Sequence, residues 1–82
     1  DFYGVAHKDL IGKKKERRIV HPRQVAIFLC RELSETTLKN IGNAFNRDHT
    51  TVMHAVNKIG DDMLKSEEIK IKIEKIISDL DS

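Results

Sequence analysis

From Asp48 onward the apolar residues fall at Val52, Ala55, Val56, Ile59 and Met63. That spacing of i, i+3, i+4, i+7 and i+11 draws one stripe down a helix. Asp48 stands just ahead of it, and Asp is a preferred N-cap because its carboxylate accepts from the free N–H groups of a first turn. The pattern predicts a helix starting at about His49. A second stripe, Ile69, Ile73, Ile76, Ile77 and Leu80, follows Ser66-Glu67-Glu68. The local alternation from Ile69 to Ile73 resembles a strand, but the length and the absence of internal Gly or Pro favour a helix. Val25 to Cys30 is apolar nearly all round, which predicts a central buried helix opened by Pro22 and running to Leu33, with His21 as its N-cap and Arg23 and Gln24 in its first turn. Leu38, Ile41, Ala44 and Phe45 mark a short helix after the capping residues Ser34-Glu35-Thr36-Thr37. Leu10 and Ile11 belong to another short helix, ended by Gly12. Phe2 and Tyr3 read as the tail of a helix whose earlier turns are missing, so the chain is expected to be a fragment of a longer protein. The whole of 1–82 is expected to form one all-α domain, a compact bundle of about five to six helices.

Asn46-Arg47 leaves only a tight connection between the short helix ending at Phe45 and the capped helix beginning at His49. Two short helices joined in this way form a helix-turn-helix. At 100° per residue, the face opposite the apolar stripe carries Thr50, His54, Asn57 and Asp61, flanked by Thr51 and Lys58. The first turn therefore offers a carboxylate, an imidazole and two hydroxyl-and-methyl side chains, with Arg47 just outside. Such groups read base edges: Asp accepts from a cytosine amine, and a Thr methyl packs on a thymine methyl. An ordinary capped surface helix would look similar, and helix grammar alone prefers that reading. The preceding chain tips the balance.

That preceding chain is basic. Lys13-Lys14-Lys15-Glu16-Arg17-Arg18 puts five cations in six positions between Gly12 and Pro22. A loop of this kind serves as a phosphate- or minor-groove-contacting arm, although a solvated charge run or a localisation cluster has the same composition. Arg23 and Gln24, expected in a first turn where a cation opposes the helix dipole, point weakly to an external anion at that end. The net charge of +2 conceals the asymmetry: residues 1–33 hold eight Lys or Arg against four Asp or Glu, while residues 61–82 hold four against seven. A basic front and an acidic back imply an oriented encounter with a polyanion.

Other functions fit less well. His49 and His54 lie five apart, which does not stack them on one face as a zinc pair requires. Asp48 and His49 are adjacent, so their side chains diverge instead of forming a relay. Cys30, alone in its apolar run, is expected to be a buried small hydrophobe with neither a disulfide partner nor a base to activate it. Gly12-Lys13 lacks the upstream Gly and the following Ser or Thr of a phosphate-binding loop. No apolar run of about 18 residues or signal-peptide pattern is present, so a cytoplasmic chain with no membrane contact and no small-molecule substrate is expected. A protein-interaction module, docking through the Ile stripe of the last helix or through Phe2 and Tyr3, is the alternative of a different class. Burial of that stripe in a core this small is the better expectation.

The residues assembled so far resemble one family specifically. The basic loop, His21-Pro22-Arg23-Gln24, Arg31-Glu32-Leu33-Ser34, Ile41-Gly42-Asn43-Ala44-Phe45 and above all Arg47-Asp48-His49-Thr50-Thr51-Val52-Met53-His54-Ala55 are similar to the C-terminal DNA-binding domain of the bacterial DnaA replication-initiator family. The likeness extends over nearly the whole chain. It implies a Trp-repressor-like helix-turn-helix bundle, monomeric in isolation, that binds short AT-rich boxes in double-stranded DNA at the replication origin. It also implies that ATP is bound by another part of the parent protein, so this domain holds no cofactor, no metal and no catalytic residue. Carried over by position, Asp48, His49, Thr50 and Thr51 would meet major-groove base edges and Lys15 would enter the minor groove. Lys14, Arg17, Arg18, Arg23, Gln24, Arg31, Thr37, Leu38, Lys39, Arg47, His54 and Lys58 would hold backbone phosphates. Three positions depart from the family pattern. Asn46 stands alone where a Gly-Gly pair is usual, and Asn tolerates the left-handed conformation such a turn needs. Lys39 replaces a common Pro. Lys15 replaces an Arg and lacks its planar fork, which weakens minor-groove discrimination or passes it to Arg17 or Arg18. A transcription regulator or mobile-element protein could carry the same module.

Overall fold

Among the described residues, twelve buried apolar side chains, drawn from every helix, define where the elements meet. The structure, a computed structural model, describes residues 7–12 and 17–81. The expectations for Phe2, Tyr3, Lys14 and Lys15 lie outside those residues. Five helices and no strand occur among the described residues: α1 (His7–Ile11), α2 (Arg17–Leu33), α3 (Leu38–Phe45), α4 (His49–Lys65) and α5 (Glu67–Asp81). None is long and apolar enough to cross a membrane.

Helix α2 is the spine, because its apolar residues surround it and so find partners on several sides. Ile19 and Ile27 pack with Leu10 of α1, Ile41 and Phe45 of α3, and Val52 and Ala55 of α4. Val25, Phe28 and Leu29 pack instead with Ile59 of α4 and Ile73 of α5. Each Ile or Val buried in these clusters contributes roughly 1.5–3 kcal/mol. The stripe expected on α4 is the buried one: Val52, Ala55 and Ile59 are sealed, and Val56 and Met63 are half-buried. Ile73 carries the α5 stripe, with Ile69, Ile76 and Ile77 packed against its cluster, and Ser66 caps that helix through its hydroxyl, which accepts from the Ile69 amide at 3.3 Å.

Three sequence expectations are corrected. Helix α2 does not open at Pro22; it starts at Arg17 and carries Pro22 inside. An interior proline gives up one backbone hydrogen bond and costs about 3 kcal/mol. Ile19, wholly buried one turn earlier, supplies the packing that offsets it. Arg17 and Arg18 are therefore helical, His21 is not an N-cap, and Arg23 and Gln24 lie beyond the first turn. Cys30 is exposed, not buried, and sits on the wall of an apolar groove with Leu29, Leu33 and Leu80; those surroundings still raise its thiol pKa by desolvation. Leu80 is 62 % exposed, so the α5 stripe stops contributing to the core before its end.

Candidate nucleic-acid interface

Helices α3 and α4 meet through a turn of three residues, 46–48. Thr37 caps α3, its Oγ1 accepting from the Asn40 amide at 3.1 Å. At the other end Asn46 takes φ 57° and ψ 42°, the left-handed conformation, and is the one non-glycine residue with positive φ among those described. The Arg47 amide then donates to the Gly42 carbonyl at 2.8 Å and the Asn46 amide to the Asn43 carbonyl at 3.4 Å, the pair of bonds that closes a Schellman motif. Asn46 thus does alone what the expected conformational tolerance allows. Gly42 makes the closure possible. A Cβ there would lie inside the 3.0 Å that real Cβ atoms keep, against the Arg47 carbonyl.

The next residue, Asp48, starts α4 as its N-cap, Oδ1 accepting from the Thr51 amide at 2.8 Å. Donation from the Thr51 amide and hydroxyl holds the Asp48 carboxyl below its ordinary pKa. A carboxylate has about four acceptor sites, so capping leaves capacity for a base amine. His49, Thr50 and Thr51 are all exposed on this first turn, with His54, Asn57, Lys58 and Asp61 exposed further along. Val52, sealed in the core, fixes how the turn is presented. The structure thus brings the four major-groove candidates, Asp48, His49, Thr50 and Thr51, together at one capped helix end. It adds Met53, 41 % exposed in the turn after Thr50, which was not among the sequence candidates.

The candidate phosphate contacts divide. Lys39 is exposed in the first turn of α3, beside the cap residue Thr37 and half-buried Leu38. Arg18 and Arg31 are exposed, and Arg31 Nη1 donates to the Thr36 carbonyl at 3.1 Å. Lys58 lies within 2.7 Å of both carboxylate oxygens of Asp62, an i, i+4 partner that the sequence offered and its reading overlooked. Gln24, His21 and Lys58 line a shallow pocket. Arg17 begins α2; Lys14 and Lys15 are outside the described residues. Arg23 needs correction. It is buried, its Nε donating to the Leu10 carbonyl at 2.6 Å and its Nη2 to the Asp9 carbonyl at 2.9 Å, so its guanidinium holds α1 instead of facing outward. Arg47 is half-buried and also donates to backbone carbonyls, those of Phe45, Asn46 and Gly12.

A capped second helix presenting polar groups from a Schellman-closed turn, over an all-helical core, defines a helix-turn-helix domain. Residues 1–59 match the family model described as the bacterial dnaA protein helix-turn-helix. The chain belongs to that family. It is 43 % identical, over its whole length, to the chromosomal replication initiator protein DnaA of Limosilactobacillus reuteri (strain DSM 20016), of which it covers 19 %. It is 51 % identical over 93 % of its length to the DnaA protein of Oenococcus oeni, covering 17 % of that protein, and 37 % identical over 92 % of its length to that of Caldanaerobacter subterraneus, again covering 17 %. The chain therefore spans about a fifth of the length of the curated relatives it matches.

Proposed function

We propose that this domain binds double-stranded DNA at short AT-rich DnaA boxes and so places an initiator on the bacterial replication origin. The first turn of α4 enters the major groove: Asp48, His49, Thr50 and Thr51 meet base edges there. Lys14 and Lys15 reach the adjacent minor groove and its phosphates, with Arg17 and Arg18 following. Gln24, Arg31, Thr37, Leu38, Lys39, His54 and Lys58 hold backbone phosphates, which set the register without reading sequence. The domain docks as a monomer. ATP binding, in this reading, belongs to another part of a longer protein that acts in the cytoplasm, on the nucleoid.

One observation carries the reading. Four side chains able to read bases are exposed together on a single helix turn, and that turn is pinned by a cap, a left-handed asparagine and a sealed valine. Lys39 supports it, since a cation placed in the first turn of α3 opposes the helix dipole unless an external anion joins it.

Fluorescence titration with a DnaA-box duplex and with its scrambled counterpart, at two salt concentrations, tests the proposal. Thr50→Ala is expected to reduce the preference for the box by roughly 1–3 kcal/mol, the worth of a good base contact. Lys39→Ala is expected to weaken both duplexes alike and to lower the salt slope by about one. An unchanged box-to-scrambled ratio in Thr50→Ala would remove the base-reading assignment.

A further inference from the structure

The last carbonyls of a helix have no partner within it, and in α1 side chains from far along the chain take all of them. The Asp9 and Leu10 carbonyls accept from Arg23, at 2.9 and 2.6 Å. The Ile11 carbonyl accepts from Asn46 Nδ2 at 3.4 Å, and the Gly12 carbonyl from Arg47 Nη2. All three partners, Arg23, Asn46 and Arg47, were candidates for the turn or for phosphates. All three face the same helix end.

Resting on the DNA-binding reading above, we infer that Arg47 is a positioning residue for recognition and not a phosphate contact. Its guanidinium spans two parts of the molecule. Nη1 donates to the Phe45 and Asn46 carbonyls, at 3.0 and 3.2 Å, while Nη2 donates to Gly12. Its own amide closes the turn on Gly42 at 2.8 Å, and its peptide carbonyl leads directly into the Asp48 cap. Arg47 therefore ties the point where the chain leaves α1 to the residue where α4 begins, although 35 residues separate Gly12 from Arg47. Asn46 makes the second tie from the same turn. Arg23, buried beside them, lies close enough to Arg47 for that second cation, after desolvation, to lower its pKa. Two guanidiniums converging on the C-terminal end of a helix fit the sign of its dipole.

The geometry explains why the residue is Arg. Three carbonyls on two segments require a planar fork with donors pointing apart, and a lysine ammonium presents one nitrogen. The consequence for DNA is a fixed distance between Gly12 and the first turn of α4. A phosphate contact at Arg47 would instead act locally and would not care what happens at α1.

The test uses Arg47→Lys, which keeps the charge, and Asn46→Gly, which keeps the left-handed backbone but drops the tie to Ile11. Hydrogen exchange of the Arg47 amide is measured without DNA, and binding is measured with box and scrambled duplexes at two salt concentrations. For Arg47→Lys the expected result is exchange at least tenfold faster, a box-to-scrambled ratio at least tenfold lower and an unchanged salt slope for the scrambled duplex. Asn46→Gly is expected to lower the ratio in the same direction, by less. Native exchange and an undiminished ratio in Arg47→Lys would overturn the inference, as would equal weakening on both duplexes with a salt slope reduced by about one in Arg47→Ala. Failure of the unsubstituted domain to bind either duplex would remove the DNA reading itself, and with it any role of Arg47 in recognition, even if exchange still revealed the tie.

Discussion

Two glycines on adjacent helices should respond to the same substitution with opposite signs. Gly42 and Gly60 both lie in helix interiors, where alanine ordinarily gains about 1 kcal/mol. A Cβ on Gly60 meets nothing within 4 Å, so Gly60→Ala is expected to raise stability by up to that amount. A Cβ on Gly42 meets the Arg47 carbonyl oxygen inside 3.0 Å, with the Arg47 and Asp48 carbonyl carbons at 3.4 Å. These are backbone atoms, held in place by the Arg47 amide bond back to Gly42. The turn must give way. Overpacking of this kind costs about 1–3 kcal/mol, and weakening the two bonds of the Schellman closure adds about 1 kcal/mol for each. Set against the helix gain, Gly42→Ala loses about 2–4 kcal/mol. In a domain of this size each kcal/mol moves Tm by about 4–8 °C. Thermal and urea unfolding followed by helical circular dichroism would therefore separate the two variants by well over 5 °C. A Gly42→Ala domain as stable as the parent would refute the argument, because the methyl would then have found room that the turn geometry denies it.

The pH dependence of stability should include His21. Burial, more than the neighbouring Lys58 and Lys72 and against the pull of Asp62, lowers its pKa below 6.5. The folded form then binds this proton less readily than the unfolded form, so the contribution is complete above pH 6.5 and is lost as the pH falls through that value toward the lower folded pKa. His21→Gln should flatten that part of a stability-against-pH curve measured by urea unfolding. Ile73→Ala should cost about 2–5 kcal/mol as a wholly buried truncation, whereas Leu80→Ala, on an exposed residue, should stay within about 0.5 kcal/mol; comparable urea midpoints for the two would contradict the placement of the core.

What the sequence could reveal was what depends on near neighbours. The stripe from Val52 to Ile59, the Asp48 cap and the left-handed Asn46 are each decided within a few residues, and each was readable. Pro22 misled because a proline marks a helix start only when nothing upstream is worth burying. Ile19 lies four and eight residues before Arg23 and Ile27 and is hidden in the shadow of a charge run. Cys30 and Leu80 looked buried because their neighbours in sequence are apolar, yet burial depends on which side α1, α3 and α5 approach. Arg23 and Arg47 show the limit most sharply. Cations at a DNA-binding site attract an assignment to phosphate, and nothing near them in sequence marks the Leu10 and Gly12 carbonyls, 13 and 35 residues away, to which they donate.

The charge along α4 limits how DNA could lie against it. Asp61 and Asp62 follow Lys58 in the third and fourth turns, and Glu67 and Glu68 open α5 just beyond. Phosphates brought toward that half would meet carboxylates, with Lys58 already paired to one of them. Only the turns up to Lys58 remain favourable, and there the single acid is Asp48. Its charge is tolerable in that position for a definite reason. The carboxylate faces the positive end of the α4 dipole and accepts from Thr51, which keeps its pKa low. A negative potential from DNA pushes a carboxyl toward protonation, and a group that begins with a lowered pKa stays an anion through that push. Asp48 can then remain a cap and an acceptor together while the duplex is bound. In the proposed complex the carboxylate that starts the helix also accepts from the base, which makes helix formation and sequence reading a single electrostatic problem.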